Sequence, residues 1–182
     1  MRVVGIDPGV LGAFAFYTPP VPLPPGFTWA TEKPTPLLLA WDMPVNVVTV
    51  GGKPRKRIDR LGLGELIDSI IMLYDPQKWV VEKVGGLPGQ SASSGFEFGY
   101  TVGCIEQALS DRKIAFVPSR PADWKKDLKA PKDKTACVAK CDDLWPHARD
   151  LFRDTSKSAK GAVRPDRAEA ALLAYWGSGA WK

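Results

Sequence analysis

Four acidic residues stand where their chemistry needs an explanation. Asp7 closes the short apolar run Val3-Val4-Gly5-Ile6 and is followed at once by Pro8-Gly9, which places it at the end of a strand where the chain turns. Glu82 lies among Trp79, Val80, Val81 and Val84. By strand alternation it shares a face with Val80 and Val84. On a core face an ionised carboxylate is costly unless it is paired or binds a metal, whereas on an edge strand it reaches solvent. Asp166 and Glu169 are three apart at the start of a helical run, so both point to one side. The same Asp166-Arg167-Ala168-Glu169 also spells a helix N-cap with its capping-box partner.

Acids gathered from these positions would repel one another and take up protons unless cations neutralised them. Magnesium or manganese, bound through oxygen, meets that need. Two such ions roughly 4 Å apart activate a water on one side of a phosphodiester and stabilise the leaving oxygen on the other.

The charge distribution fits a polyanionic substrate. The net charge is +5 and the isoelectric point about 9.1, but residues 112–140 hold nine basic groups against three acids and residues 53–60 five against one. The remainder of the chain is acidic. Arg120, Lys125, Lys126, Lys129, Lys132 and Lys134 are the candidate phosphate contacts; a merely solvated face is the plainer account of the same charges. Trp124, between them, offers either a base-stacking ring or a core side chain.

These residues need a sheet to position them. The 182 residues suit one domain spanning 1–182. Strands are expected at 2–7, 12–17, 37–43, 79–84 and 113–118, and helices at 61–74, 94–109, 121–146 (broken at Ala130-Pro131) and 165–176. In the second helix Phe98, Val102, Ile105 and Leu109 form the apolar stripe. In the last, Ala168, Ala171, Leu172, Tyr175 and Trp176 form the stripe that would lie on the sheet. Seven prolines within 19–36 make that stretch a surface loop. The basic, Gly-rich segment 51–60 also reads as a loop, and residues 153–163 as a flexible connection. This order describes an α/β domain with a mixed five-stranded sheet flanked by helices.

Three cysteines imply no disulfide framework. Cys137, Cys141 and His147 invite a zinc site but lack a fourth ligand at a recognised spacing, so buried thiols and a surface histidine are the expectation. No apolar run approaches the ~20 residues of a membrane span. The N-terminus turns acidic too early for a signal peptide, so a cytoplasmic protein is expected.

Taken in order, GIDPG at 5–9, VVEKV at 80–84, PGQSASSGFEFG at 88–99, VPSRPADWKK at 117–126 and DRAEAALLA at 166–174 resemble the RuvC-type Holliday junction resolvases of the RNase H-like superfamily, most closely their short phage and prophage relatives. The resemblance covers the chain from end to end. It implies an RNase H-like fold, Asp7, Glu82, Asp166 and Glu169 as ligands of two magnesium or manganese ions, and a homodimer that nicks a four-way DNA junction in pairs. Glu169 stands where many members carry Asp, one methylene shorter. Gly85-Gly86-Leu87 occupies the place of the aromatic residue that disturbs bases at the crossover, leaving Phe96 or Phe98 as substitutes. Three other readings are open: a nuclease for flapped or otherwise branched DNA, a non-cleaving DNA-binding protein on the same scaffold, and an actin-like ATPase. The ATPase needs a second phosphate loop that the sequence does not show.

Overall fold

The computed structural model describes residues 1–21, 34–83, 85, 89, 91–156 and 160–182. Its main sheet is built from β1 (Val3–Asp7), β2 (Ala13–Thr18), β3 (Leu37–Asp42), β6 (Lys78–Glu82) and β7 (Phe116–Ser119), in the order β3-β2-β1-β6-β7. β1 pairs antiparallel with β2 and parallel with β6, β2 pairs antiparallel with β3, and β6 pairs parallel with β7. The carboxyl ends of β3, β1, β6 and β7 therefore share one edge of the sheet.

β1 and β6 are apolar on both faces because both faces are covered. Val4, Ile6, Trp79 and Val81 pack against α1 (Arg60–Tyr74) and α2 (Ala92–Asp111), through Leu63, Ile67, Ile70, Ile105 and Leu109. Val3 and Val80 face the other way, onto α5 (Pro165–Ser178) and α4 (Lys134–Leu144). α3 (Pro121–Asp127) and a 3-10 segment, Pro146–Phe152, complete that layer.

α5 is more deeply buried than a single stripe predicts. Ala168 to Ala174 are all buried, Glu169 included, while Tyr175 and Trp176 are only partly covered. The helix is rich in alanine because it lies directly on β1. A β-carbon on Gly5 would fall 2.3 Å from the Ala170 carbonyl oxygen and 2.5 Å from the Ala174 nitrogen. The glycine of the GIDPG motif is a packing requirement before it is anything else.

Several expectations are corrected. Segment 51–60 is not a loop: β4 (Val45–Val50) and β5 (Lys53–Ile58) form a two-stranded antiparallel hairpin, and Asp59 then caps α1 by accepting from the Leu61 and Gly62 amides. Gly51 and Gly52 both take positive φ, 57° and 76°, as a two-residue hairpin turn demands. β7 starts at Phe116 rather than residue 113, because Lys113 at φ 57° is still finishing the turn that ends α2. α2 begins at Ala92, capped by Ser91, and buries Thr101, Ile105 and Leu109. Residues 153–163 are closed at their base by an Arg153–Val163 bridge. The two-piece basic region is as expected, with α3 and α4 on either side of Ala130-Pro131. Most of the proline-rich loop expected over 19–36 lies outside the described residues.

Candidate active site

β1 and β6 run side by side in register, Ile6 beside Val81, so the next residues, Asp7 and Glu82, end adjacent strands together. Both point to the α5 face, and both are buried. α5 brings Glu169, 2% exposed, from above. Asp166 lies one turn earlier, at the rim. The capping-box reading is overturned here: Arg164 is the N-cap, without a side-chain bond, and Pro165 takes the first helical position. Asp166 and Glu169 are thereby left free to face the strand ends.

What the acids meet is a lysine. Lys134, the first residue of α4, places Nζ 2.9 Å from Asp7 Oδ2, 3.0 Å from Asp166 Oδ1 and 2.7 Å from Glu169 Oε2. Lys125 Nζ lies 2.5 Å from Glu169 Oε1. Glu82 accepts a hydrogen bond of 2.9 Å from the indole N–H of Trp124, a fully buried core residue. Trp124 is therefore unavailable to stack on a base; it fixes Glu82 instead. Glu169 Oε2 is buried and, apart from the ammonium charge beside it, has no hydrogen-bond partner.

The electrostatics follow from burial and crowding. Burial pushes the Asp7 carboxyl well above the usual carboxylate range; Lys134 pulls it back, and the neighbouring Glu82 and Glu169 push it up further. Glu82 is raised by burial too, against the Trp124 hydrogen bond. Burial works against the charge on Lys134, but Asp7 and Glu169 overcome it and hold the ammonium firmly protonated.

A clamp on the opposite side of α5 sets its starting turn. Asp42, at the end of β3, accepts from Arg167 at 2.6 and 2.9 Å and also from Arg164, and Arg167 reaches the Leu151 carbonyl at 3.1 Å. Burial alone would raise Asp42, yet these hydrogen bonds bring it down to about 2. Sequence reading missed Asp42 and Arg167. Their only signal was another acid closing a strand at the active edge.

The other candidates are placed as follows. Lys125, Lys126, Lys129 and Lys132 line a groove of about 710 Å³ with Pro121 and Ala122. Arg120 is engaged by Asp123 at 2.9 Å. Phe96 is exposed on α2 and Phe98 half-buried beside it. Cys137 and Cys141 are buried, and burial pushes the Cys137 thiol up to about 11 and Cys141 higher still. His147 is exposed.

A divalent ion is tested here by the donor set. Among the described residues, no three Asp, Glu, His or Cys side chains stand ready spaced to hold an ion; Lys134 bridges Asp7, Asp166 and Glu169 instead. The chemistry of the set nevertheless fits one: oxygen donors only, most of them buried and mutually repelling.

The sheet order and flanking helices are those of an RNase H-like fold, and one solved structure bears this out. RuvC of Thermus thermophilus in complex with a Holliday junction substrate superposes with a TM-score of 0.53 at 13% identity, over 98% of this chain and 93% of that one. A second Thermus thermophilus RuvC structure gives 0.49 at 14% identity, over 99% and 96%. The yeast mitochondrial Holliday junction resolvase Ydc2 gives 0.48 at 13%, over 99% and 78%. No protein-family profile and no curated sequence relative matches the chain. At such identities the likeness is one of fold.

Proposed function

We propose that this chain is a divalent-metal-dependent endodeoxyribonuclease that cleaves four-way DNA junctions by paired nicks, as a homodimer, in the cytoplasm of a bacterial or phage-infected host cell. The observation that carries the reading is the gathering of Asp7 and Glu82, at the carboxyl ends of two adjacent parallel strands, with Asp166 and Glu169 from the helix packed closely over them. The four acids would hold magnesium or manganese, two ions per site; when bound, these ions supply activation of a water and stabilisation of the leaving oxygen.

The chain's own residues do the positioning. Trp124 orients Glu82 through its indole N–H. The Asp42 clamp fixes the turn that presents Asp166. Lys126, Lys129 and Lys132, without an ion pair among the described residues, line a groove whose wall includes Lys125 and so reaches Glu169; they hold flanking phosphates as point charges. Arg120 takes a phosphate in exchange for Asp123. The likeness to a junction-bound RuvC supports the four-way junction as substrate, and the ordered motifs support the phage and prophage branch. For the dimer, α2 exposes Phe96, Gly99, Tyr100 and Gly103 along its length, two aromatic rings beside two glycines that a second copy would cover. No helix among the described residues is long and apolar enough to cross a membrane.

Strand cleavage with magnesium or manganese on a mobile four-way junction, a flap and a plain duplex tests this, with Asp7→Asn and Glu82→Gln alongside. Symmetric paired nicks on the junction, abolished in both variants, are expected. Equal cutting of the flap would replace the junction with branched DNA in general. A junction bound but never cut would make the protein a binder and sink the nuclease.

A further inference from the structure

The β4–β5 hairpin stands outside the main sheet and adds little to the core, since Ile58 is the one residue of its strands that is buried. An isolated two-stranded hairpin is marginal in water, and this one exposes Val47 and Val50 besides. Its register explains what it presents. Val50 faces Lys53, Val48 faces Arg55 and Asn46 faces Arg57, so those three cations stand on one face at every second residue. Their spacing is about 6.7 Å per step, of the order of the step between successive phosphates of a strand. Arg57 is held by Glu97 of α2 at 2.6 Å, whereas Lys53, Arg55, Lys56 and Arg60 have no ion pair among the described residues.

Topology fixes where this face lies. The hairpin leaves the sheet just beyond the end of β3, and the α3–α4 lysines leave it beyond the end of β7, both at the edge where Asp7 and Glu82 sit. Four strand spacings, roughly 19 Å, separate β3 from β7. A groove of about 320 Å³, lined by Arg55, Lys56, Arg57, Ser94 and Phe98, runs from the hairpin to Val10 in the turn that follows Asp7.

We infer that the β4–β5 hairpin is a second nucleic-acid contact, gripping the DNA phosphodiester backbone on the side of the carboxylates opposite the α3–α4 lysines. The inference rests on the nuclease reading above and names how its substrate is held from the far side. Lys53 and Arg55 each neutralise a phosphate and release a counterion. Arg57 exchanges Glu97 for a phosphate or stays as the brace that points the hairpin.

The test is binding of a fluorescent four-way junction in EDTA, so that no strand is cut, across about 50 to about 200 mM salt. Lys53→Gln/Arg55→Gln is compared with wild type and with Lys126→Gln/Lys129→Gln. Each lost contact flattens the slope of log K against log salt by about 0.9, so the hairpin double variant should be flatter by about 1.8 and lose roughly 12-fold less affinity over that range. Its melting temperature should match wild type, and Arg55→Gln alone should give half the change in slope. A wild-type slope in both hairpin variants, with a flatter one in Lys126→Gln/Lys129→Gln, would overturn the hairpin contact and leave the nuclease standing. Wild type that binds no DNA at any salt would overturn both.

Discussion

Replacing Gly5 by alanine adds one methyl group and should nonetheless disable the protein. The new carbon would meet the Ala170 oxygen at 2.3 Å, the Ala174 nitrogen at 2.5 Å and the Ala174 α-carbon at 3.1 Å, all backbone atoms that no rotamer change can move aside. Ordinary contact requires α5 to retreat from β1 by about 1 Å. Overpacking of this kind costs typically 1–3 kcal/mol, and the upper end applies where the obstacle is backbone on both sides. For a chain of this size about 3 kcal/mol lowers the melting temperature by roughly 6–12 °C. The same retreat carries Glu169, next to Ala170, away from Asp7, two residues beyond Gly5. A misplacement of about 1 Å costs on the order of 100-fold in rate. Thermal melting and single-turnover junction cleavage, at a temperature where both proteins are folded, measure the two effects separately. A Gly5→Ala protein that melts and cleaves like wild type would refute the view that β1–α5 contact sets the site.

Three further outcomes are expected. Lys134→Gln removes the ammonium shared by Asp7, Asp166 and Glu169; breaking a buried pair costs about 3–5 kcal/mol, reduced to about 2 kcal/mol because Lys134 is 49% exposed. Melting in EDTA should therefore drop, and magnesium should raise the variant's melting temperature more than wild type's; equal shifts would contradict a shared position. Asp42, held at about 2 by Arg167 and Arg164, ionises below its unfolded value, so its contribution is complete above about pH 4 and fades as pH falls toward 2. With its side chain 41% exposed, that contribution is about 1 kcal/mol rather than the full shift's worth; urea melts of wild type and Asp42→Asn should differ at pH 6 and converge near pH 2. At Gly103 an added β-carbon meets nothing within 4 Å among the described residues, and Gly103→Leu should convert a dimer of twice 19.9 kDa to a monomer by light scattering, without loss of helix signal; an unchanged mass would remove this face of α2 from the dimer seam.

How far the site was legible depended on the range of each interaction. Asp7 and Glu82 announced themselves because a carboxylate at the end of an apolar strand, or within one, is out of place locally. The α5 acids were legible by their spacing. Their rival capping-box reading was resolvable too, since Arg164-Pro165-Asp166 puts proline at the first helical position and the cap one residue before it. The hairpin was missed although its signals were local: Val45, Val47 and Val50 lead to Gly51-Gly52, the pair that a tight turn with two positive φ values requires. The run of cations masked a strand whose outward faces are all solvated. Lys134 on Asp7, 127 residues away, and Trp124 on Glu82, 42 away, had no local signal at all. Charge marked Lys134 as DNA-facing and Trp124 was open between core and base, and only the packing of α3 and α4 against α5 turned both inward.

That inward turn bears on how the site works. Two ammonium groups face a cluster of four acids, three of them buried, and they are held differently: Lys125 is 15% exposed and Lys134 49%. Asp7, Asp166 and Glu169 carry the oxygens that would hold a divalent ion, which would bring more charge than one lysine. On the nuclease reading Lys134 is the group that yields, because it touches all three acids, sits on the first turn of α4 and already has a path to water. Once displaced it would remain tethered at the rim of the carboxylates, a positive charge available to a phosphate. Lys125, kept on Glu169, would continue to offset that buried acid. On that reading the two ammonium groups offset part of the acids' repulsion while the protein folds, and ion binding would make the mouth of the site more positive.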